Sequence, residues 1–101
     1  MTLEINFSNN LTFKEIHDLI METKPTKIDF VESHDDVDLN YMFYIAHLLN
    51  NYLPEMGLVY NCSFRNNYPI DELSAEFALR DIPFEEMFIG DNYYNLIDER
   101  V

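Results

Sequence analysis

The hydrophobic period of this chain switches repeatedly between two residues and 3.6, and its few prolines mark most of the switches. Residues 2–7, TLEINF, alternate, with Leu3, Ile5 and Phe7 on one side and Glu4 and Asn6 on the other. That pattern predicts a half-buried strand. Ser8-Asn9-Asn10 make a turn. Thr12 followed by Glu15 is a capping box and opens a helix to about Thr23, with Phe13, Ile16, Leu19 and Ile20 as its apolar stripe. Pro25 stops it. Residues 27–32, KIDFVE, read as a second strand through Ile28 and Phe30. After the acidic loop Ser33 to Asp38, with Asp38 a suitable N-cap, residues 39–53 form a helix that is apolar on nearly every side. One stripe is Leu39, Met42, Ala46, Leu49 and Leu53; the other is Tyr41, Ile45, Leu48 and Tyr52. Pro54 ends this helix, and a third alternating strand covers 58–64.

Pro69 stands where a helix favours its first residue, with Asp71 and Glu72 in the first turn and Ile70, Leu73 and Phe77 facing inward. Asp81-Ile82-Pro83 break that helix near Arg80. The remaining residues read as a helical turn over 84–88 and a last helix from about Asp91 to Arg100. The expected fold class is therefore α+β: a small three-stranded sheet with about four helices packed against it, one acidic globular domain over residues 1–101. No repeat, linker or change of composition divides the chain. Strand direction stays open. Alternation implies a partly polar sheet face, as antiparallel sheets have, while the connections are long enough for parallel crossovers.

The charge balance narrows the function. There are 19 acids against 6 Lys and Arg, a net charge of −13. The first fifty residues hold nine acids and three lysines, and the rest hold ten acids and three arginines, so acidity belongs to the whole domain rather than to a tail. A hydrophobic content of 48% supports a real core and excludes a disordered acidic segment. The chain is rich in Asn, Phe, Tyr and Ile, the bias of an A+T-rich genome. Such genomes also enrich lysine, yet only Lys14, Lys24 and Lys27 are present. Solubility needs a net charge of only about 2–8 in a small domain, so the excess points to a functional negative surface.

Several chemistries find no support in the residues. His34-Asp35-Asp36-Val37-Asp38 offers metal ligands but lacks the glycine and glutamate of a calcium loop, and reads as a solvated loop with an N-cap. His17 and His47 are isolated, and Cys62 sits in an alternating strand as a small core residue. A single cysteine excludes an internal disulfide. No glycine-rich phosphate loop occurs, and six scattered cations supply no patch for direct nucleic-acid binding. The chain is thus expected to be no enzyme and to hold no cofactor or metal. It has no apolar run of about 20 residues and no basic-then-apolar start, so the cytoplasm of a microbe or of a phage-infected host is the expected location, with no membrane partner.

A folded carboxylate surface can occupy a groove built for phosphates. Acids one helical turn apart lie about 5.4 Å from each other, and duplex DNA carries one charge per about 1.7 Å of axis. Asp29, Glu32, Asp35, Asp36 and Asp38 form the densest acidic patch in the sequence. Glu72 and Glu76, then Glu85 and Glu86 after the break, form a candidate row. Tyr68, Phe84, Phe88, Tyr93 and Tyr94 are the candidate aromatic anchors.

In size, charge and aromatic content the chain resembles the phage-encoded DNA mimics: uracil-DNA glycosylase inhibitors, anti-restriction proteins and anti-CRISPR proteins. Those proteins share no fold, so the resemblance is one of whole-chain composition and assigns no residue. It implies an inhibitor that occludes the basic nucleic-acid-binding groove of a nuclease or defence enzyme. The strand–helix alternation and acidity are also similar to barstar-like inhibitors, which implies an antitoxin or immunity protein neutralising a basic toxin. A third expectation is a homo-oligomeric structural or assembly protein, possible through a dimer seam along helix 39–53.

Overall fold

The computed structural model describes residues 1–7, 11–33, 39–66, 68–80 and 84–96, apart from the side chains of Ala78 and Arg80. In chain order the elements are β1 (Thr2–Asn6), α1 (Phe13–Thr23), β2 (Lys27–Val31), α2 (Leu39–Tyr52), a 3₁₀ turn (Pro54–Met56), β3 (Val59–Phe64), α3 (Ile70–Arg80), β4 (Phe84–Ile89) and β5 (Asn92–Asn95). The five strands form one sheet in the order β1-β2-β3-β4-β5. The first four are parallel, and β5 returns antiparallel to β4.

Each parallel step requires a crossover, and α1, α2 and α3 supply the three. Strands added always on the same side, through crossovers of the usual single hand, place every helix on the same face of the sheet. The core agrees with this. Ile16 and Ile20 of α1, Met42, Ala46 and Leu49 of α2, and Leu73 and Phe77 of α3 join one cluster with Ile5, Ile28, Phe30, Tyr60, Cys62, Phe64, Phe84, Met87 and Ile89 of the strands. Phe84 is the centre of its aromatic part, stacked on Phe77 at 4.9 Å between ring centroids and tilted against Phe30 and Tyr60 at 6.0 Å each. Most of the apolar residues of α2 enter this core, while Tyr44 and Tyr52 stay exposed. Met42, Phe43, Ile45, Ala46 and Leu49 are buried, and Tyr52 meets Phe13 of α1 at 5.6 Å.

Local chemistry sets the ends of α1. Thr12 Oγ1 accepts from the Glu15 N–H at 3.2 Å while Glu15 Oε1 accepts from the Thr12 N–H at 3.3 Å, completing the capping box. At the other end Lys24 turns left-handed, φ 49°, its N–H donating to the Ile20 carbonyl at 2.8 Å. Among the described residues no helix is long and apolar enough to cross a membrane.

The expected three-stranded sheet with about four helices is incorrect: among the described residues the sheet has five strands and the α-helices number three. The segment read as a helical turn over 84–88 is β4, and β5 occupies 92–95 in the first part of the final helix expected from about Asp91 to Arg100; residues 97–100 of that helix lie outside the described residues. The reason lies in a bulge. Tyr60 pairs with Phe84 but Asn61 pairs with Glu86, so Glu85 is an extra residue in the ladder. Phe84 and Met87 therefore both face the core at a spacing of three, and that spacing imitates a helical stripe.

Gly90 and Asp91 then connect β4 to β5 as a two-residue hairpin, with Gly90 at φ +60°. Nothing lies within 4 Å of where a Cβ at Gly90 would stand, so a side chain there meets only backbone strain. Replacing Gly90 by Ala is expected to cost about 1 kcal/mol and to lower the thermal midpoint by roughly 4–8 °C. Gly90→Asn should cost less, because asparagine tolerates this backbone region better. Calorimetry of the two variants checks the hairpin, since a helix here would be strengthened by alanine.

Candidate functional site

Helices on one face leave the other face of a mainly parallel sheet without a described cover. Such sheets are ordinarily covered on both sides. On the uncovered face the side chains come in rows across the strands. One row runs Glu4, Asp29, Asn61, Glu86 and Asn95; the next runs Asn6, Val31, Ser63, Phe88 and Tyr93. None of these residues belongs to the core cluster. Neighbouring strands lie about 4.8 Å apart, so Glu4 to Glu86, three strands away, spans about 14 Å. Successive rows are about 6.6 Å apart.

Among the described residues the ion pair is Lys14–Asp18 on α1, where His17 Nδ1 also lies 3.8 Å from Asp18, and none reaches Glu4, Asp29 or Glu86. Lys27 is the one basic side chain that the described strands place on this face. Burial raises the Asp29 carboxyl above its ordinary range. The Ser63 hydroxyl, which donates to Asp29 Oδ1 at 3.3 Å, works against this rise, Glu4 and Glu86 add to it, and Lys27 opposes it. Beside this row Phe88 and Tyr93 pair across β4 and β5 with ring centroids 5.2 Å apart, and they are 38% and 51% exposed. The arrangement can attract and hold a cationic surface and give it an aromatic anchor.

The residues singled out in the sequence fall in different places. Asp29, Glu86 and Tyr93 meet on the open face. Tyr94 alternates to the other side, opposite Met87, and packs half-buried against the core. Glu85 is the bulge residue and is half-buried. Glu72 and Glu76 are exposed on α3, where they rim an open groove of about 360 Å³ with Leu39, Tyr68, Pro69, Leu73 and Ala75. Because α3 packs on the helix-bearing face, the candidate row Glu72, Glu76, Glu85 and Glu86 is not continuous. Asp35, Asp36 and Asp38 lie outside the described residues. Phe84 is a core residue rather than an exposed anchor.

Glu32 is turned inward and is 4% exposed. Its Oε1 accepts the Arg65 and Asn66 N–H groups at 2.9 and 2.8 Å, and its Oε2 accepts the Tyr68 hydroxyl at 2.7 Å. This carboxylate clamps the loop between β3 and α3. Cys62 is fully buried, and its thiol is pushed well up by burial and then by the Asp29 charge, which makes it a core atom rather than a nucleophile. His47 is exposed, with Nε2 3.0 Å from Asn51 Nδ2.

Glu4 and Asn61 were not among the sequence candidates. Their only sequence signal was a polar residue on the outer side of an alternating strand, and parallel register is what brings them into one row with Asp29 and Glu86. The chain matches no protein-family model, no curated protein and no solved structure.

Two stability effects separate the clamp from the face. Glu32→Ala strands two backbone N–H groups and the Tyr68 hydroxyl, and should cost about 3 kcal/mol or more. Glu32→Gln keeps one acceptor oxygen and should cost less; urea unfolding midpoints measure both. Asp29→Asn is expected to act in the opposite direction. A carboxyl whose folded pKa is raised is penalised when ionised, so the penalty is complete at neutral pH and fades as pH falls through about 4. Asp29→Asn should therefore raise the thermal midpoint at pH 7, and the gain should shrink through about pH 4 and vanish below about pH 3. A midpoint unchanged or lowered at pH 7 would show that ionised Asp29 is not penalised in the fold.

Proposed function

We propose that this chain is a binding protein, not an enzyme, which docks the open face of its sheet onto a basic nucleic-acid-binding protein and so keeps nucleic acid out of that protein's groove. The observation that carries this reading is the row Glu4, Asp29, Asn61 and Glu86, whose carboxylates form no ion pair among the described residues, next to the exposed pair Phe88 and Tyr93. Three carboxylates in about 14 Å give about half the charge density of a single nucleic-acid strand, which rises about 3.4 Å per phosphate. A net charge of −13 speeds the encounter with a cationic surface. The aromatic pair adds the desolvated contact that such a charged surface lacks by itself. A nuclease or defence enzyme is the partner class that this chemistry fits, in the manner of phage-type anti-restriction or anti-CRISPR inhibitors.

The test uses immobilised protein, bacterial lysate and a salt gradient, with each captured protein identified and then purified. Wild type should hold a nucleic-acid-binding enzyme that elutes at moderate salt and is displaced by added duplex DNA or by RNA. Glu4→Lys combined with Glu86→Lys should weaken that complex on the order of a hundred-fold. Glu72→Lys combined with Glu76→Lys, on the other side of the molecule, should leave it nearly intact. Equal binding by the first pair and wild type would remove the sheet face from the reading. A captured basic toxin that neither DNA nor RNA displaces would replace groove occlusion by toxin neutralisation.

A further inference from the structure

At the centre of the open face a polar group lacks a partner. Asn61 lies between Asp29 on β2 and Glu86 on β4, while its neighbours Tyr60 and Cys62 face the core. The residue is 8% exposed, and its Oδ1 is buried and accepts no hydrogen bond from the described residues. An unmade bond of this kind is costly in a folded protein. A β-branched apolar residue at the same place would suit the strand better. The central strand thus carries an acceptor with nothing to accept, flanked by carboxylates that also accept.

What would satisfy this set is a cationic donor of several N–H groups. A metal ion does not fit. Among the described residues no group of three or more His, Cys, Asp and Glu side chains could hold one. An ammonium is a compact point donor, whereas a guanidinium presents five N–H groups in one plane and can bond an amide oxygen and a carboxylate together. Its flat face also stacks on aromatic rings, and Phe88 stands next to Ser63 in the adjoining row, paired with Tyr93.

We propose that Asn61, with Asp29 and Glu86 on either side, is a seat for an arginine side chain of the basic partner. The proposal rests on the open face being the docking surface, and its test separates the two. Capped hexa-arginine and hexa-lysine peptides carry the same charge, and each is titrated into the protein while the Asn61 side-chain amide is followed by NMR. Wild type should bind the arginine peptide at least about ten-fold tighter than the lysine peptide, with the Asn61 amide signal shifting. Asn61→Val should bring the two affinities together and, by removing the unpaired oxygen, raise the thermal midpoint. Glu4→Lys should weaken both peptides alike and keep the arginine preference.

An arginine preference that survives in Asn61→Val, or an Asn61 amide that does not move in wild type, would overturn the seat and leave the acidic face standing. If neither peptide shifts the signals of the open-face residues in wild type, the seat and the docking face fall together.

Discussion

Four parallel strands laid down in one direction leave the helices a single side to occupy, and most of the molecule's character follows from that. The helix-bearing side holds a dry aromatic and aliphatic core centred on Phe84. The opposite side takes the alternate residues of every strand, and those are mostly polar or charged. A doubly wound sheet would need apolar residues on both sides of its strands. Here Glu4, Asp29, Asn61 and Glu86 would stand under a second helix layer, and burying three ionised carboxylates without partners is prohibitive. The strand sequences are therefore compatible with helices on one side and with water or a complementary surface on the other.

The strands and α-helices from β1 to α3 were legible because each carries a clean period and a boundary signal. The Thr12–Glu15 box, Pro25, Pro54 and Pro69 all stand where a helix begins or ends. The last two strands were not legible, and the reason is specific. The bulge at Glu85 moves Met87 to the side of Phe84, so the residues that enter the core are three apart and carry a helix-like spacing. The Gly90-Asp91 pair is a hairpin signal, but a strand of four residues with both aromatics in the middle gives too short a pattern to reinforce it.

The candidate site was legible only in its chemistry. Counting acids along the chain favours residues 29–38, yet neighbours on a strand point in opposite directions. Asp29 therefore reaches the open face, while Glu32 turns under the β3–α3 loop and is consumed by three hydrogen bonds. Carboxylates that do share a surface come from residues far apart in sequence, 4, 29 and 86, and only the register of a parallel sheet brings them together. That register depends on long-range pairing, which local periodicity does not encode.

Placing the charges on strands rather than on a helix has a further consequence. The backbone beneath Asp29 and Asn61 is central in the sheet, hydrogen-bonded on both sides and supported from behind by Phe30, Tyr60 and Cys62, all buried. The spacing of the row is therefore set by the sheet ladder, and only short side-chain movements remain to be ordered when a partner arrives. Binding that orders little loses little entropy, so more of the electrostatic attraction remains as affinity. In the isolated fold burial first, and then the nearby Glu4 and Glu86, raise the Asp29 carboxyl, and among the described residues nothing donates to the Asn61 oxygen. A cationic surface would relieve both strains at once. On this argument the weak points of the isolated fold and the attraction for a basic partner have one physical origin.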